Sequence, residues 1–269
     1  MALVDAPPSL TPDRDQPKCA GQTEAQRRTA RIAGIFFAIT FIASIPALFL
    51  YEPLLKHVDY ILGPGADTRV ALGALGEIIT AIAGIATAVV LYPVLKRQSQ
   101  SVSLGYVASR TLESTIIVVG IISVLSVVTL RHDVGGAGAG NAASLVLVER
   151  SLVAIHDWTF LLGPRFCAGF GNGVLLGYLM YKSGLVPRGM AMLGLIGGPL
   201  ILVSGITIVF GADKNGSTAA TIAALPEIAW EASLTIYLIV KGFKASPILA
   251  TRPAHGSEMT GPALAVEAE

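Results

Sequence analysis

The chain has 269 residues, a net charge of +1 and only 14% charged residues, against roughly 25% in a soluble domain. With a mean hydropathy of +0.67, it holds too few polar groups to cover a water-facing surface, which excludes an ordinary soluble domain and leaves the membrane class. The near-neutral balance also excludes nucleic acid as a partner, since that needs a broad basic surface.

Residues 1–26 are polar and rich in Asp, Pro and Thr; they lack the charged start and apolar core of a signal peptide and are expected to form a disordered tail. Arg27, Arg28 and Arg31 precede a first apolar span over 32–51, long enough to match a hydrocarbon core of ~30 Å. Residues 52–69 are mixed and polar, with a turn at Gly63-Pro64-Gly65. A second span covers 70–95 and closes on Lys96 and Arg97; a third covers 104–130 and closes on Arg131. After the Gly/Ala loop at 135–141, Glu149, Arg150, His156 and Asp157 interrupt the apolar pattern. We read 143–155 as an interfacial helix, with a fourth span over 158–181 and a break near Gly163-Pro164. A fifth span follows at 189–211 and a sixth at 220–240, leaving a second disordered tail over 245–269.

The architecture expected is all-α: an integral membrane bundle of six transmembrane helices over 27–244, with both termini cytoplasmic. Orientation follows the positive-inside rule. Twelve of the nineteen Lys and Arg fall on the side of the two tails, five on the opposite side, and Arg110 and Arg165 fall inside spans. Cys19 lies in the polar tail and Cys167 in an apolar span, so neither a disulfide between them nor a C-x-x-C site is expected.

Ionisable groups inside spans carry the best functional signal, because each costs at least ~2.5–3.5 kcal/mol at a helix centre on insertion scales. These are Glu77 in the second span, Arg110 and Glu113 in the third, Arg165 in the fourth with Asp157 at its mouth, and Glu227 and Glu231 in the sixth. Four glutamates cannot all pair with two arginines, so at least one is expected to hold its proton or to face water. The functional expectation is a polar cavity for a proton, a cation or an amine-bearing solute, with the arginines as counter-charges or anchors for an acidic group. The structural alternative is that Arg110 and Glu113, three residues apart on one helical face, merely pair with each other while the remaining charges tie helices together.

Other motifs have plainer readings. His57, His132 and His156 each stand beside an aspartate, a combination that suits a metal, yet no fixed helical spacing such as H-E-x-x-H links them. Gly169, Gly173 and Gly177, with Gly194 and Gly198, form small-xxx-small stripes for close helix packing. Asn172 among them is placed to bond across helices. Trp230 lies too deep for an interfacial belt and is expected in the bundle core. A nucleotide loop at 169–173 is excluded by its place inside a membrane helix, and no G-x-S-x-G is present. No cofactor is implied.

Arg31-Ile32-Ala33-Gly34, Leu185-Val186-Pro187-Arg188 and the block from His156-Asp157-Trp158 to Pro187-Arg188 resemble the bacterial membrane proteins grouped as domain-of-unknown-function family 4386. The resemblance spans about residues 28–243 and implies a multi-helix inner-membrane protein without assigning it an activity. Three functions therefore stand open. The first is a small-solute or proton-coupled carrier using the glutamate cavity. The second is a non-catalytic membrane subunit that contacts a partner protein or lipid, and the third an outer-face metal-dependent enzyme. Many carriers are built from internal repeats, and residues 28–130 share no motif with 143–243, which weighs against the first.

Overall fold

The computed structural model describes residues 22–57, 59–63, 65–134 and 142–250. All regular structure among them is helical. Helix α1 spans Glu24–Leu50, α2 Glu52–Lys56, α3 Asp67–Leu95 and α4 Gln100–Val134. After α5, Ala142–Phe160, come two π-helical segments, Leu161–Cys167 and Gly169–Leu176, and then α6, Gly177–Ser183. Helices α7, Arg188–Val209, and α8, Thr218–Val240, complete the chain. Five of these helices, α1, α3, α4, α7 and α8, are long and apolar enough to cross a membrane.

Several boundaries differ from the sequence reading. Helix α1 starts within the expected tail because Thr23 and Gln26 close a capping box: Gln26 N–H donates to Thr23 Oγ1 at 3.3 Å and Thr23 N–H to Gln26 Oε1 at 3.0 Å. The C-terminal tail also stays ordered beyond residue 245. Gln26 Nε2 donates to Leu249 O at 2.8 Å, Ser246 Oγ donates to Ser183 O, and Leu249 is buried. The rest of both tails, with Cys19, and the loop at 135–141 lie outside the described residues.

The larger correction concerns the expected interfacial helix and break. Residues from Ala142 to Ser183 follow one uninterrupted helical path, whose middle is wound in π turns. Pro164 has no N–H to give and its ring would strike the carbonyl one turn back in an α-helix. Wider i→i+5 turns relieve that conflict, and the glycines at 163, 169, 171 and 173 place no Cβ in the way. The path ends at Gly184, whose φ of 66° no branched residue adopts readily.

The long helices close a ring in chain order, with α8 returning to α1. Glycine sits at each contact, and the space a Cβ would need shows how tight each one is. On Gly34 it would lie 2.8 Å from Ile239 Cγ1, on Gly76 2.9 Å from Ala43 O, and on Gly84 2.8 Å from an Arg110 guanidinium nitrogen. On Gly163 it would meet Ile116 at 3.3 Å, on Gly198 the carbonyl of Gly169 at 2.5 Å, and on Gly197 the backbone of Glu227 at 2.5 Å. Small residues let backbones approach and gain dispersion contacts where lipid offers no hydrophobic drive for helix association.

Two apolar cores fill the ring. One, near the ends carrying the chain termini, gathers Phe37, Leu91, Leu95, Tyr106, Leu176, Leu179, Trp230 and Leu238. The other, at the far end, gathers Tyr51, Leu54, Tyr60, Ile61, Val70, Ile121, Val124 and Val127. The far end is pinned by polar contacts: Arg131 pairs with Asp67, Arg131 Nε donates to Gly63 O at 2.9 Å, and Ile61 N–H donates to Glu149 Oε2 at 3.3 Å. In the α7–α8 connection, the Ser217 hydroxyl and the Lys214 N–H both donate to Asp213 and hold its carboxyl below the usual range. Ser217 also caps α8, accepting from Ala220 N–H at 3.0 Å.

Gly198→Ala places a methyl against backbone atoms of the π segment that have no side chain to move aside. It should destabilise the protein by about 1–3 kcal/mol, the usual cost of overpacking. A Cβ on Gly189, in the same helix, meets nothing within 4 Å, so Gly189→Ala should be neutral or stabilising by up to about 1 kcal/mol. Thermal unfolding of the two variants in one detergent checks the contrast; equal melting temperatures would contradict it.

Candidate functional site

Between the two apolar cores lies a cavity of about 510 Å³. Every long helix contributes to it. The α1 wall is a stripe at helical spacing, Thr40, Phe41, Ser44, Ile45 and Leu48; the α8 wall is a second stripe, Thr221, Ala224, Ile228 and Glu231. Helix α3 adds Glu77 and Thr80, α4 adds Arg110, Glu113 and Ile117, and α5 adds His156 and Thr159. The π segments deliver Arg165 and Asn172, and α7 adds Ile201.

Five of the seven residues singled out from the sequence line this one space: Glu77, Arg110, Glu113, Arg165 and Glu231. Arg110 Nη1 donates to Glu113 Oε2 at 2.5 Å, and both side chains are buried. This is the intrahelical pair that the spacing allowed, and Arg110 Nε reaches on to Gly84 O at 3.4 Å. Glu231 accepts from Asn172 Nδ2, and Trp230 Nε1 donates to the Asn172 carbonyl at 2.9 Å. Asn172 thus ties the π segment to α8, and Trp230 is fully enclosed in the core. Glu77 accepts from the Tyr51 hydroxyl at 3.0 Å. Neither Glu77 nor Glu231 has a Lys, Arg or His nitrogen within 4.0 Å among the described residues.

Arg165 is the counterpart of those two acids. Its Nη1 donates to Ser204 Oγ at 3.1 Å and to Ala220 O at 3.4 Å, while its buried Nε has no partner. Among the described residues no carboxylate lies within 4.0 Å of it.

The remaining two residues stand apart. Asp157 points outward, 64% exposed, with its carboxylate 3.9 Å from His156 Nδ1. Glu227 shares a helical face with Glu231 but is covered by the glycines of α7 and the π segment: a Cβ on Gly173 would lie 2.7 Å from its Oε2. It is buried at 3% exposure with neither carboxyl oxygen hydrogen-bonded. The glycine stripes that bring the helices together are what seal it off.

The histidines do not assemble. His132 Nε2 lies 3.0 Å from Asp67 rather than pairing with Asp133, and His156 packs edge-on to the Tyr51 ring at 5.4 Å. No three metal-ligating side chains come together among the described residues. Sequence reasoning missed Thr40, Ser44, Thr80 and Thr159 as lining groups. Hydroxyl residues are cheap in membrane helices because they bond their own backbone, as Thr40 does to Phe37 O at 2.7 Å and Thr80 to Gly76 O at 2.9 Å. The available signal was the i, i+4 alignment of Thr40, Ser44 and Leu48 along one face of α1.

No curated protein and no solved structure matches the chain. Residues 32–242 match the model of DUF4386, a domain of unknown function, and that stretch contains every residue lining the cavity. The chain belongs to the DUF4386 family.

Proposed function

We propose that this protein binds a small polar or proton-bearing solute in the cavity between its helices and carries it across the bacterial inner membrane. The observation behind this is the pair of cavity carboxyls, Glu231 and Glu77, that hold neutral hydrogen-bond donors and no cation. A half-buried carboxyl in that state has a vacancy for a proton, a cation or an amine, whereas Arg110 and Glu113 already satisfy each other. The cavity volume also lies within the ~300–1,000 Å³ typical of small-molecule sites.

The chain crosses the membrane six times in this proposal, with both termini in the cytoplasm. Five helices have the required length and apolarity; the sixth crossing is the π-wound path that leads into α6. The lysines and arginines support the orientation, being concentrated at the end that carries the termini.

Native mass spectrometry of protein purified from its own host membrane tests the binding claim. The wild type should retain a small bound molecule, and Glu231→Gln should lower its affinity about tenfold or more, since a hydrogen bond to a charged group is worth about 1.5–3 kcal/mol. The variant should still accumulate in the membrane; failure to accumulate would make the carboxyl an assembly contact and sink the proposal. Orientation is tested by thiol labelling after Cys19 and Cys167 are replaced. An impermeant reagent should modify Lys214→Cys in intact cells and Arg97→Cys only in opened ones; the reverse pattern would invert the topology.

A further inference from the structure

We propose that the ligand is a single-chain amphiphile taken directly from the membrane through a slit between α1 and α8, with its anionic headgroup seated on Arg165. This rests on the cavity being a ligand site; it gives the solute an apolar chain and an anionic head, and of the options open to Glu231 and Glu77 it leaves them the proton.

The open side of the cavity is defined by which lining residues are covered. The polar lining residues of α4 and the π segments are buried, Arg165 at 9% exposure and Asn172 at 1%, with Arg110 and Glu113 beside them. Those from α1 and α8 are not, with Ile45 at 50%, Leu48 at 43% and Ile228 at 48%. The two helices are clasped near the chain termini, where Gly34 meets Leu238 and Ile239. Toward their far ends each leans on its other neighbour. Ala43 and Ala47 of α1 meet Gly76 of α3, and Pro226 and Glu227 of α8 meet Gly197 of α7. Between those two leaning halves the cavity opens sideways.

The rims of this slit are apolar and exposed, with Ile45 and Leu48 on one side and Leu225 and Ile228 on the other. Side chains of that kind face hydrocarbon in a spanning helix, so the slit leads to lipid rather than to water. A water-soluble solute would have to cross that apolar border, whereas an amphiphile already resides beyond it. Phe41, Phe160 and Ile201 continue the apolar lining inward.

Arg165 supplies the polar end. A cation in a membrane helix normally pairs or reaches water, yet this one spends its bonds on a hydroxyl and a carbonyl and leaves Nε unbonded. Asp213, in the α7–α8 connection, lies more than 4.0 Å from it, its carboxylate occupied by Ser217 and Lys214. The guanidinium also lies against the first turn of α8 at Ala220, where the helix dipole adds further positive potential. An anion placed there relieves both. From Thr221 to Glu231 the α8 wall runs about 15 Å at 1.5 Å per residue, enough for a headgroup and the start of a chain that leaves through the slit.

The experiment uses full-length Trp158→Phe protein in zwitterionic lipid nanodiscs, which leaves Trp230, beside Asn172 and Glu231, as the sole tryptophan. Bromine-labelled palmitate, bromine-labelled lysophosphatidylglycerol and the bromine-labelled fatty alcohol of equal length are titrated as quenchers. Saturable quenching by one or both anionic probes, but not by the alcohol, is expected, and which anion wins separates carboxylate from phosphate headgroups. Arg165→Gln should weaken it about tenfold or more and Arg165→Lys less, while Ala224→Phe, which fills the slit, should abolish it. Equal quenching by the alcohol, unchanged in Arg165→Gln, would overturn the anion seat while leaving the cavity a ligand site. No saturable quenching by any amphiphile would overturn the lateral route, and the cavity reading would then stand or fall on the Glu231→Gln comparison. Should Arg165→Gln fail to fold, the Arg165→Lys and Ala224→Phe titrations decide the question alone.

Discussion

The structure depends on one close contact, the approach of the π segment Gly169–Leu176 to the α7–α8 hairpin through Gly169, Gly173 and Gly198, with Gly197 closing the hairpin itself against Glu227. In lipid the hydrophobic effect does not drive helices together, so backbone proximity and dispersion must hold them. The contact also decides which polar groups meet. It brings Asn172 within reach of both Glu231 and the Trp230 indole, and it buries Glu227 out of the cavity. A larger side chain at Gly198 would push the hairpin away and break those bonds together.

The helices that converge so tightly at glycine diverge elsewhere, and the cavity occupies the divergence. Its polar groups fall into two kinds. Arg110 and Glu113 neutralise each other and bind α4 to α3 through Gly84. Glu77, Glu231 and Arg165 have only neutral partners. A membrane interior penalises an uncompensated charge by several kcal/mol, and a protein built for stability alone would place leucine at these positions. Their presence around a cavity of about 510 Å³, with Arg165 more than 4.0 Å from either acid, is the mark of a site.

Much of this was legible in the sequence. Apolar runs of spanning length, the basic flanks and the glycine spacing gave the all-α class and the position of nearly every long helix. The ionisable residues within those runs picked out most of the cavity. Other features were hidden because local pattern does not carry them. Charges at Glu149, His156 and Asp157 suggested a helix end, but Glu149 is used to hold the loop at Ile61 and His156 packs on Tyr51. Pro164 suggested a break, and the chain widened its turns instead. Glu227 and Glu231 look equivalent by spacing; only the position of Gly173 and Gly197 distinguishes them. The unpaired state of Arg165 is a fact of three dimensions, since spacing along the chain does not decide which of four glutamates reaches it.

The most direct measurement is an experimental density map of the protein purified from its own membrane in mild detergent. Elongated non-protein density should touch the Arg165 guanidinium and pass between Ile45 and Ile228, with Glu231 still bonded to Asn172. A map in which α1 and α8 close on each other along their whole length, leaving no space among Glu77, Arg165 and Glu231, would contradict it.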